Sequence, residues 1–160
     1  MRSFVFRPLL ASEVELLETA TLQNMNWCAD RFTITEVREN PVFAHYTELV
    51  PARGDFGLVA VVDDRPVGVA WAMFLPATDP GYGFLDEETP EFSLWVDASV
   101  RGGGIGRTLL RDLIAEGARR GIKQMSLSVE ADNYAKSLYL SEGFTDVAAD
   151  EADGVMVRRL

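Results

Sequence analysis

The residues with the most chemical content lie in one short run, Val96-Asp97-Ala98-Ser99-Val100-Arg101-Gly102-Gly103-Gly104-Ile105-Gly106-Arg107. The run follows a stretch that alternates like a strand, with Phe92, Leu94 and Val96 on one face. It opens a segment with helical spacing, through Leu109, Leu110, Leu113, Ile114 and Gly117. Glycines without side chains let a backbone approach a phosphate closely. The free N–H groups of a helix start point at such an anion, and the helix dipole favours it. Arg101 and Arg107 flank the glycines with positive charge in an otherwise acidic chain. Two nucleotide motifs are excluded by residue type. A Walker A loop needs Gly-Lys-Ser/Thr, but Gly106 is followed by Arg107 and Thr108. A dinucleotide fingerprint finds its first two glycines in Gly104 and Gly106, but Leu109 takes the third place. Taken alone, the run also reads as a tight strand-to-helix turn.

The run fits Q/R-x-x-G-x-G/A, with Arg101, Gly104 and Gly106 in the specified places. On this pattern the chain resembles the GNAT acyl-CoA-dependent N-acetyltransferases. The resemblance implies that acetyl-CoA is the co-substrate and that its pyrophosphate sits on the amides of Arg101, Gly102, Gly103, Gly104, Ile105, Gly106 and Arg107. Leu94-Trp95-Val96 looks like the family's fourth strand, whose backbone pairs with the pantetheine arm. A second segment, Asn133 to Phe144, is similar to the family's N-x-A-x-x-L-Y-x-x-x-G-F. It implies that Asn133 binds the CoA arm and that Tyr139 is the general acid. Attack on a thioester must expel a thiolate. A phenol, with a pKa of about 10 against about 8.5 for a thiol, can protonate that sulfur. The plain alternatives are a helix N-cap for Asn133 and a core aromatic for Tyr139.

The attacking amine must be neutral, so something must take its proton. Glu91 opens the fourth strand and shares a face with Ser93 and Trp95 by parity, which makes it the first candidate base. The resemblance favours an acidic residue there; the plain alternative is a solvated strand end after Pro90. His45, the single histidine, is the second candidate. Trp27, Phe43, Tyr46 and Tyr82 are the aromatic candidates for the acceptor pocket, and Asp86, Glu87 and Glu88 for attracting a cation. An oxyanion donor is expected from backbone N–H near Trp95. Direct transfer needs no nucleophile on the protein.

These groups need elements to hold them. Ser3 to Arg7 reads as a strand, and Ser12-x-x-Glu15 as a capping box opening a helix with Val14, Leu17 and Ala20 inward. Thr33 to Asn40 stays unassigned, and Pro41 opens a short second helix. Gly57–Val62 and Pro66–Leu75 form an antiparallel hairpin across the short connection Asp63-Asp64-Arg65-Pro66. Pro76 to Pro90 is a long loop, and Glu91–Val96 a strand. A helix to Arg120, a strand Gln124–Val129, a helix Asn133–Glu142 and strands Phe144–Val147 and Val155–Leu160 follow, with a turn at Asp153-Gly154. The expected fold is therefore α/β (α+β): a mixed, mostly antiparallel, GNAT-like sheet of about seven strands flanked by four helices.

Composition bounds the rest. With 160 residues the chain suits one domain, residues 1–160. A formal net charge of −10 argues against nucleic acid as a partner, although it reads equally as solubility. Cys28 is the one cysteine, expected as a buried small apolar residue; it excludes an intrachain disulfide and a cysteine metal site. No metal is expected. The start lacks a signal-peptide pattern, and Val67 to Leu75 is too short to span a membrane, so a cytoplasmic protein is expected. The expected partner is a small-molecule or peptide amine, with a homodimer implied by family habit. A non-catalytic acyl-CoA-binding or sensing module is the second reading, and an unrelated domain whose glycines only turn the chain is the third.

Overall fold

The computed structural model describes residues 3–147 and 154–160. Its elements are β1 (Val5–Pro8), α1 (Val14–Met25), α2 (Ile34–Glu39), α3 (Pro41–Ala44), β2 (Phe56–Val62), β3 (Arg65–Met73), β4 (Glu91–Val96), α4 (Ile105–Arg119), β5 (Gln124–Ser128), α5 (Ala135–Ser141), β6 (Thr145–Asp146) and β7 (Val155–Arg159). The strands form one sheet in the order β1-β2-β3-β4-β5-β7-β6. Every neighbouring pair is antiparallel except β4 and β5, which α4 joins as a parallel crossover.

The central strands are apolar on both faces, so both faces must be covered. On one face Ala70, Ala72, Phe92 and Met125 pack with Leu109, Leu110 and Leu113 of α4 and Tyr139 of α5. On the other, Val69, Trp71 and Trp95 pack with Leu17 and Ala20 of α1 and with Tyr46. Each fully buried leucine contributes about 1.5–3 kcal/mol of transfer free energy. The β2–β3 hairpin turns on Asp63 and Asp64, both left-handed at φ 49° and 62°, the geometry of a tight two-residue turn.

Four expectations change. The Ser12-x-x-Glu15 box does not form. Instead Glu13 occupies the N-cap position, and its carboxylate accepts from Leu10 N–H at 2.8 Å and from the Arg7 guanidinium at 2.6 and 3.0 Å. Val14 then falls in the first turn and stays exposed. Thr33 to Asn40 contains a helix, α2, because Thr33 Oγ1 caps it by accepting from Glu36 N–H at 3.3 Å. This makes five helices among the described residues rather than four. Cys28 is exposed, since α1 has already ended at Met25. Asp153, half of an expected turn, lies outside the described residues. No helix among the described residues is long and apolar enough to cross a membrane. Nor do three or more of their His, Cys, Asp and Glu side chains group as a metal site would require.

Candidate active site

The site begins with a break in the sheet. Among the described residues β4 and β5 pair at one place, Glu91 beside Ser126, where Ser126 N–H donates to Pro90 C=O at 3.1 Å. Beyond it the strands part. Asp97 N–H donates to Val67 C=O at 2.8 Å, on the β3 side. Backbone groups alternate along a strand, so those of Trp95 also face β3, while those of Leu94 and Val96 face the opening. The backbone amides near Trp95 that face the opening are therefore those of Leu94 and Val96. A cavity of about 710 Å³ fills the opening.

One end of the cavity is the glycine run. Gly102 and Gly104 are left-handed at φ 86° and 81°, and a Cβ on either would meet nothing within 4 Å. The backbone there is bare and open. Thr108 is the first residue of the helical turn with a bonded amide, donating to Gly104 C=O at 3.0 Å. The amides of Arg101 to Arg107 have no backbone acceptor among the described residues. A fifteen-residue helix stands behind them. This bare, amide-rich turn suits a pyrophosphate, and the open backbone of Leu94 with the N–H of Val96 suits an amide-bearing arm. The arginines behave differently from each other. Arg101 donates through Nε to Val96 C=O at 3.2 Å and lies over the Tyr134 ring. Arg107 is tied to Glu142 at 2.6 Å and to Ser141 at 3.0 Å, so its amide is free while its guanidinium is engaged.

Tyr139 and Asn133 line the same cavity from the α5 side. Tyr139 packs edge-on against Phe92 and Phe144, with centroids 5.8 and 6.1 Å apart. Burial pushes its phenol above the ordinary value, so it stays protonated. It is a core aromatic that also lines the cavity, with its phenol protonated. Asn133 Oδ1 accepts from Ala135 N–H at 2.9 Å, a local bond in the turn before α5, which leaves Nδ2 for the cavity.

Glu91 lines the opposite side. It is 6% exposed, not a solvated strand end. Tyr46 OH donates to Glu91 Oε2 at 2.7 Å and itself accepts from Tyr82 N–H at 2.8 Å. Glu91 Oε1 has no hydrogen-bond partner among the described residues. Burial pushes this carboxyl up to about 7, against the pull of the Tyr46 hydroxyl and of the nearby Gly83 amide, which approaches without making a well-formed bond. The long loop covers the group closely. A Cβ on Gly81 would run into Glu91 Oε1 and Tyr46 Oη, and one on Gly83 would meet the Leu127 backbone at 2.6 Å. Both glycines are required by this contact.

Trp27, Tyr46, Tyr82, Leu94, Trp95, Val96, Arg101, Gly102, Gly104, Ile105, Gly106 and Arg107 also line the cavity, whereas Gly103 and Phe43 do not. Phe43 sits behind the wall, against Phe32 at 5.0 Å and Tyr82 at 6.5 Å. His45 lies outside the wall too, its Nδ1 2.9 Å from Asp79. Asp86 and Glu87 are occupied in holding the loop, accepting from Thr89 and Ala77 amides at 2.8 and 2.9 Å, and Glu88 stands outside the cavity. Sequence reasoning missed Thr21, Arg31, Phe32 and Glu130, all cavity residues. Thr21 had a signal: it is a polar residue four places after Leu17, on the core face of α1, and its hydroxyl is buried without a partner among the described residues. Arg31 and Trp27 both bond Glu130, across the mouth of the cavity, which nothing in the local pattern announces.

The chain matches the acetyltransferase (GNAT) family over residues 19–144. It belongs to this family. That family is one of acetyltransferases. Among curated relatives, a mycothiol acetyltransferase from Geodermatophilus obscurus is 36% identical over 88 residues, covering 54% of this chain and 28% of that one. The match thus spans under a third of that relative's length. Among solved structures, the PaiA N-acetyltransferase of Thermoplasma acidophilum in complex with coenzyme A aligns over 99% of both chains, at 20% identity and a TM-score of 0.71, a likeness of fold. The yncA protein of Salmonella typhimurium, solved with its cofactor acetyl-CoA, aligns over 98% of this chain and 91% of that one, at 26% identity and a TM-score of 0.62.

Proposed function

We propose that residues 1–160 form a single acetyltransferase domain that moves an acetyl group from acetyl-CoA directly to a primary amine, with Glu91 as base and Tyr139 as acid. Acetyl-CoA supplies the activated thioester. One observation carries the reading: the bare amides of Arg101 to Arg107 and the buried carboxyl of Glu91 border the same cavity, which opens between β4 and β5.

The roles follow from position. The amides of Arg101 to Arg107 hold phosphate oxygens, and the backbone of Leu94 and Val96 lies along the arm. A free amide of β4 also stabilises negative charge on the reacting carbonyl oxygen. Glu91 takes the proton of the incoming amine. A carboxyl near 7 is a far better base toward an ammonium than one at the usual carboxylate value. Tyr139 returns a proton to the departing sulfur from the α5 side. A cytoplasmic location belongs to the same proposal, supported by a chain that has one exposed cysteine and no disulfide.

Calorimetric titration with acetyl-CoA, with dephospho-CoA and ATP as controls, tests the cofactor. Saturable binding followed by amine-dependent release of free CoA is expected. A folded protein that does not bind acetyl-CoA would refute the reading.

A further inference from the structure

The walls on the Glu91 side describe the acceptor. We infer that it is a primary amine carried on an apolar, aromatic-bearing group, with no carboxylate on the carbon beside the amine. This rests on the reading of the cavity given above.

Two observations support it. The wall is aromatic. Phe32, Tyr82 and Trp95 line it, and Phe43 stands behind Phe32 and Tyr82 as a buttress. Tyr82 is 51% exposed at this edge, yet its backbone N–H is fixed by Tyr46 OH at 2.8 Å. Its backbone is thus anchored, and its ring, tilted against Phe43 at 6.5 Å, keeps an exposed face. Such faces receive an apolar ring or an ammonium.

The second observation is charge. Five charged residues line the cavity: Arg31, Glu91, Arg101, Arg107 and Glu130. Arg31 is taken by Glu130 and by Met25 C=O, and Arg107 by Glu142. Arg101 belongs to the glycine run, bonded to Val96 C=O at 3.2 Å and lying over Tyr134. Among the described residues, the Glu91 side therefore offers a carboxylate no free cation. An α-amino acid would bury its carboxylate unpaired and beside a second carboxylate, which is strongly unfavourable. An amine without that group meets only Glu91 and aromatic surface.

The test compares 2-phenylethylamine, L-phenylalaninamide and L-phenylalanine as acceptors for the intact protein with acetyl-CoA, read by release of free CoA. The three share a ring and an amine; because the amide also makes the amine less basic, kcat/KM is compared per neutral amine, which leaves the carboxylate charge as the difference. The amine and the amide should be acetylated, with kcat/KM for phenylalanine lower by about 30-fold or more. Equal rates for phenylalanine and its amide would overturn the charge argument. Spermidine and glycylglycine complete the panel. Acetylation of either, with none of 2-phenylethylamine, overturns the inference and leaves the acetyltransferase reading standing. So does binding of acetyl-CoA with no turnover of 2-phenylethylamine. Absence of acetyl-CoA binding removes both. Tyr82→Ala should raise KM for 2-phenylethylamine about tenfold and leave acetyl-CoA affinity unchanged; an unchanged KM would take Tyr82 out of the acceptor site.

Discussion

Glu91 gathers most of the consequences at the scale of single residues. Its ordinary value near 4.5 is pushed up to about 7, first by burial, with the Tyr46 hydrogen bond pulling the other way. A base works in its ionised form, so kcat/KM should rise with pH through about 7 and level off above it. Glu91→Gln should abolish that limb and lower kcat/KM by about a hundredfold or more. A pH–rate profile of the variant that keeps the limb would assign it to another group. The same shift bears on stability. The folded value lies above the unfolded one, so folding favours the protonated form. This contribution is full below about 4.5 and is lost as pH rises through about 7. Glu91→Gln should therefore flatten the pH dependence of unfolding by about 3 kcal/mol between those limits, measured by denaturant titration. Tyr46→Phe removes the hydroxyl that holds the carboxyl down and also the acceptor of Tyr82 N–H. It should move the kinetic limb to higher pH and cost about 1–2 kcal/mol of stability. A limb that stays put, in a folded variant, would show that the hydrogen bond does not reach the titrating group.

At the scale of elements, the glycine run and α4 act as one unit, and a pair of variants separates their two roles. Gly104 and Gly121 both sit at φ 81°, one at each end of α4, and a Cβ on either meets nothing within 4 Å. Valine at either position carries the same backbone strain, about 1–2 kcal/mol. The two ends stand about 22 Å apart along the helix. Gly104→Val should lose acetyl-CoA affinity by calorimetry, whereas Gly121→Val should lose similar stability and keep its affinity. Equal affinities in the two variants would remove the phosphate role from the turn. These elements were legible in sequence because their signals are local. The alternation of Phe92, Leu94 and Val96 placed β4 between its observed ends, and the spacing of Leu109, Leu110 and Leu113 placed the buried face of α4. The helix α2 was not legible, since only Ile34 and Val37 are apolar in it and its cap is a single threonine. The start of α1 differs from the Ser12 box because Glu13 takes the N-cap position, its carboxylate bonded to Arg7, six residues earlier, and to Leu10 N–H. The same limit applies to the site. The bare glycines and Tyr139 are written in short motifs, but Arg31 meets Glu130 across 99 residues, and only the folded sheet brings them together.

The sheet has two parts, β1 to β4 and β5 to β7, which among the described residues pair at one place, between Glu91 and Ser126. Below that point the helices and the long loop keep the parts together, and above it the strand edges are exposed to the cavity. An edge with free backbone groups is an unfinished ladder. A ligand lying in the opening completes it, so binding and sheet cohesion are linked. At a hundredfold excess over its dissociation constant, acetyl-CoA should stabilise the fold by about 2.7 kcal/mol. For a chain of this length that corresponds to a rise in Tm on the order of 5–10 °C. The distribution of the effect is the sharper measurement. Hydrogen exchange should slow most at Leu94, Val96 and the amides of Arg101 to Arg107, which have no backbone acceptor in the free protein or face the opening. Amides of β1, at the outer edge beside β2, should change only as far as global stability changes. A rise in Tm with no local slowing at Leu94 and Val96 would place the ligand elsewhere and leave the gap between β4 and β5 without its assigned role. Slowing confined to those strands and the glycine turn would show that the opening is closed by what it binds.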